Sequence, residues 1–589
     1  MPEAAPRKSV GTEDSSPSEV AAPSPAALRT AGADRALAEL AEGEGVWAQT
    51  SLARRRELLE RMRAAAAAQA EAWVDAAATY KRLPKDSPLI GEEWITGPYP
   101  VVTALSVLAE TVNALQEGRS PVDPADVRPA PGGRIAVRVL PHGVWDRLLL
   151  NGFSAEVWMP PGVDAQTVRG RAGLALRRPR ETGGIGVVLG AGNITSIPVL
   201  DVLYELYAHN RVVVLKLNPV TDVLRDVFTE VLAPLIEIGA VRIVTGGADV
   251  GTYLVHHPAV SHVHMTGSRT THDAIVYGPG PEGALRREAG TPLLDKPVTS
   301  ELGGVSPTIV VPGEWSEADL RFQAEHVVTQ RLHNGGYNCC ASQVVVVSSD
   351  WAQKDQFLGY LRAALGAAPA RAAYYPGSED RVAQAIASYP AAEHIGGRLL
   401  LAGLDPANPG QALTTEYFAP VLGVLELPGR AGPFLSRAVQ AANEQFAGTL
   451  GVNLIAHPRT IKELGTAVDE AITELRYGTI GLNVWTGVGF LTAAASWGAF
   501  PGHTLDDVQS GIGVVHNALL LDGPERTVLR GPFRPLPRSV MRGEFSVSPR
   551  PPWFVTNRTA ASTGRLLTRF SASPRWARLP AVFASALRG

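Results

Sequence analysis

The only two cysteines of the chain, Cys339 and Cys340, are adjacent in the segment HNGGYNCCASQVVVV. A thiolate attacks carbonyl carbon and forms a thioester, so either cysteine could carry covalent catalysis. Two small thiols at the start of a buried strand could equally be packing residues. A zinc site fits poorly, because adjacent cysteines supply too few ligands at an unsuitable separation. The residues elsewhere in the chain must decide between nucleophile and core packing.

Two glycine turns upstream each follow an apolar run and precede a helical pattern. In VLGAGNITSIP, Gly190 and Gly192 precede Asn193, but the third glycine of the dinucleotide fingerprint is missing. Asn193 could also simply cap the helix that follows. In HMTGSRTTHD, Gly267 and Ser268 offer amides and a hydroxyl where a pyrophosphate could bind at a helix start. Two such turns on one sheet favour a dinucleotide site more than either turn alone.

Two histidines also lie at a spacing that metals use. His262 and His264, in HHPAVSHVHM, alternate onto one face of a predicted strand, but no third ligand of evident type is near them. The serines form no G-x-S-x-G elbow, which argues against an α/β-hydrolase. We therefore predict no metal site.

The elements that must position these residues alternate between β-branched strands and helices. GIGVVLG, RVVVLKL, AVRIVTG and VSHVHMTGS are the predicted strands of a first series. PTIVV, ASQVVVV, PVLGVLEL and TLGVNLIAH form a second series from about Gly304, which places a domain boundary near residue 300. This alternation predicts parallel βαβ units, whose ligands bind beyond the carboxyl ends of the strands. RIAVRVL and RAGLAL, between residues 119 and 182, are predicted as strands outside the main sheet. Leu52–Trp73 is predicted as an amphipathic helix.

Composition narrows the classes of partner. The 589 residues contain 54 Lys and Arg against 57 Asp and Glu, so no global charge recruits nucleic acid. Two cysteines exclude a disulfide framework and favour a cytoplasmic protein. Residues 1–30 lack the apolar core of a secretory signal and are predicted to be a disordered lead. The tail mixes Arg and Pro with aromatic residues, which favours an arm around a neighbouring subunit over contact with an anionic membrane.

Seven short motifs in order carry a family resemblance. They are GAGN (190–193), LKLNP (215–219), TGS (266–268), ELGG (301–304), GYNCCAS (336–342), EYFAPV (416–421) and GLN (481–483). In this order and at these separations, residues 35 to 515 resemble the aldehyde dehydrogenase superfamily. The resemblance implies an α/β fold with a Rossmann-type dinucleotide-binding domain, an α/β catalytic domain and an oligomerisation arm. The implied assembly is a homodimer or homotetramer.

The predicted division of the chain has four parts. Residues 1–30 form the lead, and 31–300 form the N-terminal helices and dinucleotide-binding domain, with an inserted arm at about 131–182. Residues 301–515 form the catalytic domain, and 516–589 form a C-terminal extension without a counterpart in the minimal fold.

The resemblance also implies catalytic roles. Cys339 would attack the aldehyde as a thiolate, and Asn193 would donate to the oxyanion together with the Cys339 backbone N–H. Glu301 would be the general base that hydrolyses the thioester, which makes the product a free carboxylic acid. Relatives that pass the acyl group to coenzyme A usually lack this glutamate.

The implied cofactor is NAD or NADP. The resemblance and the glycine turn assign it to Lys216, Gly267, Ser268, Glu416 and Phe418. Many NAD-preferring members have a glutamate shortly after the lysine, whereas this chain has Asn218 and Pro219 in that region. Without a carboxylate there to repel a 2′-phosphate, NADP is also compatible.

Two alternatives remain open, together with two departures from the family pattern. An acyl-CoA reductase would use the same thioester in the other direction, and a catalytically silent relative could act as a scaffold. Gly192 stands where a tryptophan is common, which predicts space beside the substrate channel. Tyr337 replaces a common glutamine before the nucleophile.

Overall fold

The computed structural model describes residues 25–536, 539–540, 546 and 548–589. The predicted disordered lead at 1–30 falls largely outside these residues. Its last residues are helical, because the first helix, α1, begins at Pro25, and for them the prediction is wrong.

The described residues contain nineteen strands. They are β1 (Val127–Ala130), β2 (Arg134–Leu140), β3 (Ser154–Trp158), β4 (Ile185–Leu189), β5 (Val212–Lys216), β6 (Val241–Val244), β7 (Val260–Gly267), β8 (Val298–Leu302), β9 (Ser306–Val310), β10 (Ser342–Ser348), β11 (Glu393–Ile395), β12 (Arg398–Leu404), β13 (Val421–Leu427), β14 (Gly451–Ile455), β15 (Thr479–Leu482), β16 (Ser496–Gly498), β17 (Gly511–Ile512), β18 (Val514–Asn517) and β19 (Arg526–Arg530).

Twenty α-helices accompany these strands within the same residues. They are α1 (Pro25–Gln49), α2 (Leu52–Tyr80), α3 (Ile90–Thr96), α4 (Pro98–Gln116), α5 (Val144–Leu149), α6 (Ala165–Arg171), α7 (Ile197–Ala208), α8 (Arg225–Glu237), α9 (Ala248–His256), α10 (Arg269–Tyr277), α11 (Gly280–Glu288), α12 (Glu317–Leu332), α13 (Lys354–Ala367), α14 (Ser378–Ser388), α15 (Ala431–Glu444), α16 (Pro458–Leu464), α17 (Ala467–Glu474), α18 (Gly487–Leu491), α19 (Ala560–Ala572) and α20 (Leu579–Ala586).

The first βα series forms a six-stranded sheet in the order β17-β8-β7-β4-β5-β6. All its pairs are parallel except β17 with β8. The chain leaves β4 towards β5 and β6 and then returns to β7 on the other side of β4. In an open α/β sheet, this switch point is where a dinucleotide binds. The predicted strands and the parallel sheet are confirmed.

The second series forms an eleven-stranded sheet in the order β1-β2-β3-β19-β15-β14-β9-β10-β13-β12-β11. The strands from β19 to β12 are parallel. The arm strands belong to this sheet, because β3 pairs with β19 and β19 pairs with β15 of the same chain. The prediction of strands outside the main sheet is therefore wrong. RAGLAL is also no strand, since it spans the end of α6 and a 3-10 helix at Leu174–Arg177.

The two sheets adjoin near the predicted boundary at residue 300. β8 pairs with β7 in the dinucleotide sheet, while β9 begins the catalytic sheet only four residues later. We propose the domain boundary between β8 and β9, which puts Glu301 on the dinucleotide side.

The C-terminal extension packs against its own chain. Trp553 meets Phe153 with ring centroids 5.6 Å apart, and Phe570 meets Trp145 at 5.3 Å. Phe554 stacks on His326 of α12 at 5.4 Å. These three aromatic residues are buried within their own chain, whereas Trp576 is exposed, and an arm around a neighbouring subunit stays a prediction. Among the described residues, no helix combines the length and apolar character of a membrane span.

Candidate active site

The nucleophile loop lies between a 3-10 turn at His333–Gly336 and strand β10. Asn334 and Gly335 have φ angles of 55° and 70°, and asparagine and glycine tolerate this left-handed conformation best. Cys339 is partly exposed, whereas Cys340 is buried. The carbonyl of Cys340 accepts a hydrogen bond of 3.5 Å from Trp485 Nε1. A substrate can therefore reach Cys339, and Cys340 is a packing residue.

Glu301 comes to Cys339 from the other sheet. Its side chain is fully buried, and neither carboxylate oxygen has a hydrogen-bond partner of normal geometry in the described part of the chain. Burial raises the pKa of Glu301 above its ordinary value, although the Cys339 thiol, His516 and Trp497 each act to lower it. These interactions show that the thiol and the carboxyl group are neighbours.

The pKa of Cys339 is also raised well above that of an ordinary thiol. Its hydrogen bond with Cys340 contributes most, followed by burial and the nearby charge of Glu301. Glu301 thus disfavours ionisation of Cys339, whereas the Cys339 thiol favours the ionised form of Glu301. A thiolate at Cys339 can form when Glu301 accepts its proton.

Asn193 is held against the nucleophile loop. Its side-chain Nδ2 donates to the carbonyl of Tyr337 at 2.9 Å, two residues before Cys339. An amide nitrogen has two N–H bonds, so this contact leaves one for a developing oxyanion. Asn193 is no helix cap, because α7 begins four residues later, at Ile197.

Asn334 joins these parts and was missed by the sequence analysis. Its Nδ2 donates to the carbonyls of Asn193 at 3.2 Å and Tyr337 at 3.1 Å. Its Oδ1 accepts from Lys81 at 3.1 Å and from Arg371 at 3.2 Å. One side chain therefore fixes the backbone on both sides of the site.

A buried ionic network supports Asn334. Lys81 and Glu93 form an ion pair of 2.8 Å between fully buried side chains. Arg371 pairs with Glu92 and, at 3.2 Å, with Glu93. The sequence signal was the pair of carboxylates inside the apolar segment PLIGEEWITG, since buried charges require partners.

Lys216 lies at the carboxyl end of β5, where a dinucleotide would lie on this sheet. Burial lowers its pKa, while Asp222 and Asp249 act in the opposite direction. Both carboxylates are exposed at the surface. The positions directly after Lys216 carry no carboxylate, as the sequence indicates, but Asp222 of the following 3-10 turn and Asp249 of α9 both act on its charge.

Gly267 and Ser268 end β7 and are both exposed. The hydroxyl of Ser268 accepts a hydrogen bond of 3.2 Å from the backbone of Thr271, which caps α10. The first glycine turn is less accessible: residues 190–200 are all buried, and the Ser196 N–H donates to the carbonyl of Thr96 at 3.2 Å. Of the two helix starts, that of α10 is therefore more accessible to a ligand than that of α7.

Glu416 and Phe418 are partly exposed beside the junction of the sheets. Burial raises the pKa of Glu416 to about 8, although Arg331 and Arg381 oppose this shift. Its Oε1 is buried without a hydrogen-bond partner in the described residues, and any side chain at Gly303 would overlap the carboxyl group. An unpaired buried carboxyl oxygen suits a ribose hydroxyl, so these residues fit a dinucleotide.

Comparisons with known proteins agree with this geometry. The sequence model of the aldehyde dehydrogenase family matches residues 170–373. These residues, about a third of the chain, are similar to the aldehyde dehydrogenase family. They contain Asn193, Glu301 and Cys339, while Glu416 lies beyond them.

Solved structures show that the similarity in fold extends beyond residues 170–373. An NAD-dependent aldehyde dehydrogenase from Sinorhizobium meliloti aligns over 86% of this chain and 88% of its own, with a TM-score of 0.57 and 17% identity. An NADP-dependent glyceraldehyde-3-phosphate dehydrogenase from Bacillus halodurans C-125, complexed with NADP, aligns over 85% and 91%, with a TM-score of 0.56 and 17% identity. The chain has the aldehyde dehydrogenase fold.

A curated relative shares more sequence over a shorter stretch. The 1-pyrroline-5-carboxylate dehydrogenase of Bacillus mycoides (strain KBAB4) is 32% identical over 169 residues. This match covers 28% of the chain and 31% of the relative. The chain thus spans about a third of the length of the curated aldehyde dehydrogenase it matches.

The space beside Gly192 is filled, although the sequence predicted open space there. A Cβ atom there would lie 2.7 Å from Val220 Cγ2 and 2.9 Å from Asn218 Cγ. The side chains that follow β5 thus fill the volume beside Gly192. The predicted widening of the channel at this position is wrong.

The two histidines of β7 are hydrogen-bonded within the protein. His262 Nε2 and His264 Nδ1 both lie 2.9 Å from the hydroxyl of Thr299. Within the described ranges, no group of three or more ligating side chains could hold a metal ion.

Proposed function

We propose that this protein oxidises an aldehyde to its carboxylic acid through a thioester on Cys339, with NAD or NADP as the hydride acceptor. The observation that carries this proposal is the meeting of Cys339 and Glu301, which come from two different sheets and interact directly. Asn193 lies against the same loop and keeps one amide N–H for the oxyanion.

In the proposed cycle, Glu301 first accepts the proton of the Cys339 thiol. The thiolate then attacks the aldehyde carbon, and the Asn193 side chain stabilises the oxyanion. The bound dinucleotide supplies the hydride acceptor that leaves a thioester on the cysteine. Glu301 must lose the thiol proton before it can remove a proton from water; the hydroxide then attacks the thioester, and Cys339 leaves as a thiolate.

The dinucleotide would be held by residues of both sheets. Glu416 would accept hydrogen bonds from ribose hydroxyls with Phe418 beside the ring, and Lys216 would bind the adenosine ribose. Gly267 and Ser268 would meet the pyrophosphate at the start of α10. A homodimer or homotetramer stays a prediction, which light scattering of the purified protein tests.

An aldehyde screen tests the proposed activity. Purified protein would be given aliphatic and aromatic aldehydes with NAD and with NADP, with Cys339→Ala as the blank. The set includes 1-pyrroline-5-carboxylate and glyceraldehyde 3-phosphate, which the similar dehydrogenases are named for. We expect dinucleotide reduction that disappears in the blank, with a free acid as product.

Three results would contradict the proposal. Activity that persists in Cys339→Ala would move the nucleophile elsewhere. Turnover that requires coenzyme A and survives Glu301→Gln would favour the acyl-CoA reductase. Absence of dinucleotide binding, with no acylation of Cys339, would leave a silent scaffold.

A further inference from the structure

A histidine–carboxylate pair lies near Glu301, the predicted base. His516 of β18 places Nε2 3.1 Å from Oδ1 of Asp201, which lies on α7. The other oxygen of Asp201 accepts a hydrogen bond of 3.2 Å from the hydroxyl of Thr266 and lies 3.5 Å from His264 Nε2. Asp201 is fully buried, whereas the His516 side chain is 12% exposed. The pair therefore connects the interior to an edge that water reaches.

Strand pairing places this pair next to Glu301. Thr266, the hydrogen-bond partner of Asp201, lies directly opposite Glu301 in the pairing of β7 with β8. Gly511 lies opposite Glu301 on its other side, and the chain then continues into β18. His516 is paired across strands with Trp497, and both residues act on the pKa of Glu301.

The proposed reaction loads Glu301 with protons that it must pass on. The present inference rests on the proposed function. Oxidation and hydrolysis together convert an aldehyde, water and oxidised dinucleotide into a carboxylate, reduced dinucleotide and two protons. Glu301 accepts protons in both half-reactions but is fully buried. It must therefore lose the thiol proton after acylation, before it can act on water, and the described residues give its oxygens no hydrogen-bond partner that could take the proton.

We propose that His516, held by Asp201, accepts the thiol proton from Glu301 after acylation and passes it to solvent, so that Glu301 is ionised for hydrolysis. With its proton on Nε2 directed at Asp201, a neutral imidazole has an acceptor lone pair on Nδ1. In the described chain this Nδ1 is buried without a partner. The carboxylic acid of Glu301 loses its proton, Nδ1 gains it, and the imidazolium then releases one proton to water.

The charged groups around His516 suit this role. Asp201 faces it from α7, His264 from β7 beyond Asp201, and Glu301 from β8. Trp497 of β16 and the ring of Phe490, 5.3 Å away, supply no charge. Burial alone would raise the pKa of Asp201, but His264 and His516 lower it below its ordinary value. The carboxylate therefore stays ionised and stabilises a passing imidazolium.

The test separates acylation from hydrolysis in His516→Gln. We expect a burst of reduced dinucleotide equal to the enzyme concentration, followed by steady turnover slowed by about tenfold or more. Added imidazole should restore the steady rate, because the His516 site is partly exposed. A merely structural role would not give this rescue. His394→Gln, at an exposed histidine of β11, is the matched control and should behave as wild type.

Asp201→Asn provides a second variant should His516→Gln fail to fold. It keeps the side-chain volume and removes the charge, so we expect slower hydrolysis with an unchanged burst. A steady rate within about twofold of wild type in both variants, while Glu301→Gln still blocks hydrolysis, would overturn the inference and leave the proposed function intact. Failure of the wild-type protein to oxidise any aldehyde would instead overturn the function.

Discussion

At the scale of single residues, the site depends on a buried carboxyl group beside a buried thiol. Burial raises the pKa of Glu301, and the pKa of Cys339 is raised by its hydrogen bond with Cys340, by burial and by the nearby charge of Glu301. An exposed cysteine nucleophile usually gains reactivity from a nearby cation, whereas here the base itself must remove the proton. The ionisation of Glu301 therefore controls both halves of the proposed reaction.

The pH dependence of thioester hydrolysis follows from this arrangement. Only the ionised carboxylate of Glu301 can act as a base, and its pKa lies above the 4.5 of an ordinary glutamate. We expect the single-turnover rate of hydrolysis to rise with pH through a midpoint above 4.5, as measured by stopped-flow release of acid. A flat rate across pH 4 to 8, about four units, would contradict the role of Glu301.

Cofactor preference is set at the end of β5. Asp222 and Asp249 lie close enough to act on the charge of Lys216, so a 2′-phosphate would meet two carboxylates. We expect kcat/KM to favour NAD over NADP by about tenfold, since like charges in proximity cost on the order of 1 kcal/mol. Asp222→Asn should narrow that ratio.

Asp226→Asn is the control for this change. Asp226 is exposed in the first turn of α8 and is not among the groups that act on Lys216. Wild-type protein that prefers NADP would refute the assignment of both carboxylates.

At the scale of elements, a buried ionic network joins the end of α2, helix α3 and the nucleophile loop. Lys81 follows α2, Glu93 lies within α3, and Asn334 receives a hydrogen bond from Lys81. Because a charge buried without a partner is costly, the pair specifies how α2 and α3 meet. Through Asn334, the hydrogen bond from Lys81 also helps to hold Asn193, the proposed oxyanion donor.

Removal of Lys81 tests this connection. Lys81→Met should destabilise the protein by about 3 kcal/mol, because it leaves Glu93 buried with only Arg371 as its partner. Urea unfolding measures the loss. Lys85→Met is the control, since Lys85 is exposed in the same connection and should change the unfolding midpoint little. Equal stability of the two variants would show that the pair contributes nothing.

At the scale of the whole molecule, the C-terminal extension completes the core. Phe554 covers His326, and Arg565 and Arg569 both pair with Glu71 of α2. Burial lowers the pKa of His326 to about 3, so this histidine is neutral in the folded protein. The unfolded chain binds a proton there below pH 6.5, the ordinary value for histidine.

Stability should therefore fall on the acid side. The contribution of neutral His326 is fully present above pH 6.5 and is lost as the pH falls towards about 3. When the pH is lowered from 7 to 5, the unfolding free energy of wild type should fall by about 2 kcal/mol more than that of His326→Gln. His394→Gln should lose as much as wild type. An identical loss in all three proteins would show that His326 is accessible to protons.

The sequence predicted what local pattern and motif order encode. The β-branched strands and the glycine turns follow from periodicity and spacing, and the roles of Cys339 and Glu301 follow from the family resemblance. The intrachain pairing of β3 with β19, the packing of Phe554 on His326 and the filling of the space beside Gly192 depend on residues distant in the chain. No local pattern encodes such contacts. Asn334 was missed for the same reason, because its partners Lys81, Asn193 and Arg371 come from three separate segments.

The most direct test of the central claim is the mass of the enzyme during turnover. Glu301→Gln lacks the base of both half-reactions, so it should form the thioester slowly and fail to hydrolyse it; prolonged incubation with an aldehyde substrate and dinucleotide should therefore add one acyl group that stays bound. Peptide mapping should place this group on Cys339 and not on Cys340. An enzyme that oxidises the aldehyde without an acyl adduct on Cys339 would contradict the account.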